Sequence, residues 1–152
     1  MNVEVSIDDL AIDDSVRDRI DEIKIPVQQA MAEVFEVMVK LNLGEEKGEF
    51  RPAEWSPLSA KYAKRVKRPY ATLVLTHELE NSVRSFATDE AGFVVSEGCD
   101  YAAAHQYGDE SRHLPARPFF PMTGQRGDEE ITPQAYEEVR QAAEIKINEL
   151  LK

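Results

Sequence analysis

The segment Val83-Arg84-Ser85-Phe86-Ala87-Thr88-Asp89-Glu90-Ala91-Gly92-Phe93-Val94-Val95-Ser96 carries the reading that makes this chain a mixed helix-and-sheet protein. Residues 83–88 and 93–96 are extended in pattern. The short link between them ends in Gly92, and two such runs joined this way predict a β-hairpin. Just upstream, Leu79, Val83 and Phe86 share helical spacing behind Thr76, a candidate N-cap. The handover from helix to strand therefore falls near Val83 without the pattern fixing the residue.

Toward the N-terminus, Val3, Val5 and Ile7 alternate with Glu4 and Ser6, a period of two that predicts a short half-buried strand. Asp13, Asp14 and Ser15 supply a cap and first-turn acids. Ile12, Val16, Ile20 and Ile23 follow at helical spacing, and Val27, Met31, Val34, Met38 and Leu41 continue the stripe. Pro26 interrupts it. Proline is costly inside a helix and tolerated at N1, so the spacing predicts two helices, over 14–23 and 26–42, with Gly44 near the stop. Met31 and Met38 suit either a core or a plastic groove, and a core position is the commoner use of methionine. Residues 44–54 are polar and glycine-containing, a loop. Trp55, the one tryptophan, is expected to plug an apolar gap with its indole N–H on a carbonyl. Ser56 and Pro57 read as N-cap and N1 of a helix running through Tyr62 and Arg65.

Toward the C-terminus, residues 123–130 read as loop. Thr132 and Pro133 open a closing helix whose stripe is Tyr136, Val139, Ala143, Ile147 and Leu150. The expected architecture is α+β in a single domain spanning 1–152: N-terminal helices packed on a small antiparallel β-sheet, with a C-terminal helix.

A chain of 152 residues is long enough to bury roughly 70% of its unfolded surface without metal or disulfide support. Its one cysteine cannot form an internal disulfide, which favours a reducing compartment. The first residues lack a basic and then apolar leader, and no run approaches the roughly 18 apolar residues of a membrane span. A soluble protein with no membrane partner is expected. The net charge of −11 argues against coating nucleic acid, because non-specific binding depends on Lys and Arg neutralising phosphates. Residues 61–68 are the basic exception, with Lys61, Lys64, Arg65, Lys67 and Arg68. They read as a solvated helix face or as a surface that touches DNA.

Residues 101–120 hold the densest chemistry. Ala102, Ala103 and Ala104 favour a helical turn behind Asp100 as N-cap, with Gly108 at C′. Tyr101 and His105 share one face of that turn, and Gln106 points elsewhere. Pro115 and Pro118 then fix φ and remove two amide donors, so 114–120 is extended and unsuited to a sheet interior. Arg117 is held out on that stiff ribbon. Tyr, Phe and Arg are enriched at interface cores, so the ribbon reads as a docking edge. The candidate interface residues are Tyr101, His105, Gln106, Tyr107, Arg117, Pro118 and Phe119, with Trp55, Gly108 and Pro115 as structural supports. His105 also suits a semi-buried hydrogen-bonding role that fixes the loop after Gly108. For Arg117, an internal ion pair and a bond to a neighbouring subunit both remain open.

Catalysis has little to rest on. Cys99, His105 and His113 could be imagined as zinc ligands or as a thiol nucleophile with its base. The chain has no Cys-x-x-Cys, no His-Glu-x-x-His and no glycine-rich phosphate loop. No catalytic, metal or cofactor residue is assigned.

Four blocks, Trp55-Ser56-Pro57-Leu58-Ser59, Thr76-His77-Glu78-Leu79-Glu80-Asn81-Ser82, Tyr101-Ala102-Ala103-Ala104-His105-Gln106-Tyr107-Gly108 and Leu114-Pro115-Ala116-Arg117-Pro118-Phe119, occur in an order that resembles the phage virion morphogenesis family. These are the tail-completion or neck-type proteins of Mu-like tailed phages and prophages. The likeness extends from the amphipathic N-terminal region to about Phe120, and the last two blocks are its specific part. The family usually has glycine where this chain has His77, and proline where it has Ala60. The resemblance implies a non-enzymatic structural protein that completes the tail or joins it to the head. It implies a ring of identical subunits, phage tail and neck proteins as partners, and a life in the host cytoplasm during assembly and in the virion afterwards.

Overall fold

A computed structural model describes residues 1–44, 48–66, 73 and 77–152. The hairpin is formed by β2 (Val83–Ala87) and β3 (Gly92–Ser96), and β1 (Asn2–Val5) pairs antiparallel along the other side of β3, giving the order β1-β3-β2. In register, Asn2 faces Val95, and Val83 faces Ser96. The helix-to-strand handover is sharp: α4 (Glu78–Ser82) ends at Ser82, and the N–H of Val83 caps the turn on Glu80 O.

The long helix α2 (Ile20–Gly44) packs across the sheet on one side and against the C-terminal helix α6 (Pro133–Leu150) on the other. Two neighbours explain why its buried residues, Val27, Met31, Ala32, Phe35, Met38, Val39 and Leu43 among them, are wider than one stripe. Met31 and Met38 are core. Val34 is only partly buried and Leu41 is exposed, because Phe35 and Leu43 take the inward positions. The predicted break at Pro26 is corrected. A short α1 (Asp14–Arg17) is capped by Asp13, and Pro26 lies inside α2, in its second turn. Ile23 and Val27, on either side of it, are both buried, and this packing offsets the lost backbone bond.

Two buried polar side chains tie α2 to what surrounds it. Gln28 accepts from Ile7 N and donates to Thr88 O, fastening both the β1 exit and the hairpin turn. Gly92 follows that turn so closely that an added Cβ would meet Gln28 O at 2.4 Å. Nearer the C-terminal end of α2, Asn42 donates to Phe119 O and accepts from Phe50 N, and its own carbonyl takes two bonds from Arg51.

The helix expected to open at Ser56 starts later, as α3 (Ala60–Val66) with Ser59 as its cap. The expected cap at Thr76 lies outside the described residues. The loop over 123–130 is closed by a small hairpin, β4 (Met122–Thr123) with β5 (Glu130–Ile131). Thr132 then caps α6 through Ala135 N, with Pro133 at its start as expected. On the uncovered face of the sheet, Phe86 stacks on Phe93 at 5.2 Å and is 44% exposed. Among the described residues no helix is long and apolar enough to cross a membrane.

Candidate functional site

The alanine-rich turn forms α5 (Ala102–Tyr107), but Tyr101 and not Asp100 stands at its N-cap, without a side-chain cap bond. The i, i+4 spacing brings Tyr101 and His105 edge to face at 5.6 Å. Gly108 ends the turn at φ 78°, where a side chain is strained and a Cβ would meet Ala116 N at 3.0 Å.

The ribbon over 114–120 joins no sheet, and its prolines explain why. Other groups satisfy its backbone instead. Leu114 exchanges two bonds with Asp109, and Arg117 N donates to His105 O at 2.7 Å. Phe119 N and Phe120 N both donate to Gln106 Oε1 at 2.9 Å. Phe119 O accepts from Asn42, and Pro118 O accepts from Trp55 Nε1 at 2.8 Å. The indole thus finds its carbonyl, and the Arg51 guanidinium lies 3.5 Å from the ring centroid on its face.

This anchoring corrects the reading of the ribbon as a freely presented docking edge. Phe119 and Phe120 are fully buried and pack on each other, with Phe120 also against Phe35. Gln106 is buried beneath them. Arg117 is 5% exposed and, among the described residues, makes no internal ion pair: Nε donates to Ser56 O and Nη2 to Pro57 O. Those carbonyls would otherwise accept amides of a helix starting at Ser56, which is why α3 begins at Ala60. Substitutions at Arg117 or Phe119 therefore act on folding first. What the ribbon leaves to solvent is Pro115 and Ala116, with parts of Leu114 and Pro118.

Tyr101, His105 and Tyr107 are partly exposed. The Tyr101 hydroxyl donates to Glu78 Oε2 at 3.3 Å, and burial, Cys99 and Glu78 together raise its pKa. Tyr107 donates to Glu129; burial and that carboxylate push the phenol up to about 12. Burial and then the charge of Arg117 hold the His105 imidazole below the ordinary histidine value, and its Nδ1 is buried with no partner among the described residues. Only the backbone of His105, not its ring, braces the ribbon.

All four sequence blocks meet at one open cleft of about 590 Å³, where Leu58, Tyr62, Glu78, Tyr101, His105 and Arg117 are among the lining residues. His77 precedes α4 at φ 57°, the left-handed conformation that glycine favours, and its ring pairs with Glu80. Ala60 is the first residue of α3, a position that accepts proline. Cys99 is buried and unpaired, His113 is exposed, and no three His, Cys, Asp or Glu among the described residues converge in a metal-binding group. Lys61, Lys64 and Arg65 are exposed on α3, while Lys67 and Arg68 lie outside the described residues. Sequence reasoning missed Asn42 as the organiser of this region. The available signal was a lone amide set between Leu41 and Leu43, two residues before the helix stop.

Comparison with protein-family models, with curated proteins and with solved structures returned no match.

Proposed function

We propose that this chain is a non-enzymatic structural subunit of a tailed-phage particle, of the virion morphogenesis kind, that completes the tail or joins it to the head as a ring of identical subunits. The observation that carries this reading is that the four blocks resembling that family, scattered over residues 55–119, close around a single cleft. Trp55 bonds Pro118, Arg117 bonds Ser56 and Pro57, and Tyr101 bonds Glu78. Residues that resemble a family only in sequence order have no need to touch; here they form one interdependent unit. Exposed apolar side chains elsewhere support self-association. Val37 at 55% and Ile145 at 68% share a shallow groove between α2 and α6. Partners are then phage tail and neck proteins, in the host cytoplasm during assembly and in the virion afterwards.

Mass photometry of the purified protein, alone and with candidate tail-tube and neck proteins, tests the reading. A discrete higher-order species, formed alone or on the partner, is expected. A chain that stays monomeric and binds none of them removes the proposal.

A further inference from the structure

Arg117 is an unusual cation. It is nine-tenths buried or more, yet its Nε and Nη2 are bonded to two neutral carbonyls, and no carboxylate among the described residues lies within ion-pair distance. Neutral acceptors orient a guanidinium without cancelling its charge, and an unpaired charge held away from water is costly unless something neutralises it. Among the described residues the third nitrogen, Nη1, makes no hydrogen bond, and the residue lines the open cleft. A second group in the same cleft, His105 Nδ1, is buried with no hydrogen-bond partner among the described residues.

We propose that the cleft is a binding site for a carboxylate side chain, carried on an acidic segment of a partner protein and held by the unpaired arm of Arg117. A carboxylate is the planar anion that a guanidinium edge matches. Leu58, Tyr62, Leu114 and Pro115 give the cleft apolar walls that suit the stem of a glutamate and its apolar neighbours. The cleft is open to one side, so it covers part of a chain and does not enclose a free small molecule. A phosphate dianion is the poorer occupant, because Glu78, itself bonded by Tyr101, lines the same cleft and repels the second charge. The inference rests on the cleft being a contact surface in the assembly role above, and it names the chemistry of the contact.

The test is a titration of the isolated, full chain followed by ¹H–¹⁵N correlation at Arg117 Nε–H and at the His105 ring. The probes are an acetylated and amidated Leu-Glu-Leu tripeptide, its Leu-Gln-Leu isostere, acetate and inorganic phosphate. The glutamate peptide is expected to shift both groups saturably, with the glutamine peptide at least about tenfold weaker. Glu78→Gln removes the competing charge and should tighten the glutamate peptide by about threefold. Equal shifts from both peptides, no saturable shift from either, acetate binding as well as the peptide, or phosphate binding more tightly each overturn the proposal. The native chain decides the matter, so a variant of Arg117 that fails to fold is not needed. Peptide binding by a chain that never assembles would fault the assembly reading alone; assembly without peptide binding would fault this one alone.

Discussion

Gln106 answers for two backbone amides at once, those of Phe119 and Phe120, in a place water does not reach. Replacing it with leucine keeps the volume and strands both donors, and each buried unsatisfied amide costs roughly 1–3 kcal/mol. Gln106→Leu should therefore lower stability by about 2–4 kcal/mol in urea unfolding, with the slope unchanged. His105 makes a separate prediction. Its ring is depressed by burial and by Arg117, so the folded state resists a proton that the unfolded chain accepts. Above about pH 6.5 both states are neutral and the ring adds no pH dependence. As pH falls below that value, the unfolded chain binds more protons and stability drops, until the folded ring is protonated too. Wild type should lose a few degrees of melting temperature between about pH 6.5 and 5 relative to His105→Phe, read by differential scanning calorimetry. Parallel curves would show that the ring is not protected. The sequence pointed to both residues and set His105 beside Tyr101 with Gln106 on another face, yet it listed Gln106 at an interface where the ribbon buries it. Spacing says which residues share a face of a helix, not whether a neighbouring ribbon will cover that face.

The same limit operates on whole elements. The hairpin over 83–96, the strand at Val3 and Val5, and the Thr132–Pro133 helix start were legible because each rests on local pattern and cap chemistry. Pro26 was not, because its cost is met by packing on α6 and the sheet, which no local rule contains. Pro26→Ala restores an amide for Glu22 O and should stabilise the protein by about 1–3 kcal/mol, measured in the same urea series. A loss of stability would mean that proline sets a bend the core requires. Ser56 was misread as a helix start for a similar reason: Arg117, 61 residues away in sequence, takes the carbonyls that helix needs. The contact between α2 and the hairpin depends on Gly92. A Cβ there would run into Gln28 O at 2.4 Å, so Gly92→Ala should cost about 2 kcal/mol or more, with the helix and hairpin forced apart. A neutral result would place the hairpin farther from α2 than described.

Across the molecule, charge decides more than shape. With a net charge of −11, and with exposed Lys61, Lys64 and Arg65 confined to one short helix, the isolated protein should not retard duplex DNA in a gel at about 0.15 M salt. A complex that weakens steeply with added salt would revive the DNA-contacting reading of that segment. The α+β architecture was readable from pattern as N-terminal helical structure on a small antiparallel sheet with a closing helix, though not the continuity of α2 through Pro26. The meeting of four distant blocks at one cleft was not, because it is made by side-chain bonds between loops: Trp55 to Pro118, Arg117 to Ser56 and Gln106 to Phe119. One of those bonds also makes the protein its own instrument. Its sole indole sits between a guanidinium and a proline carbonyl, so its emission colour and lifetime track the seam where ribbon meets loop. Any event that pries that seam open or clamps it shut can be followed in real time without a dye, a tag or a substitution.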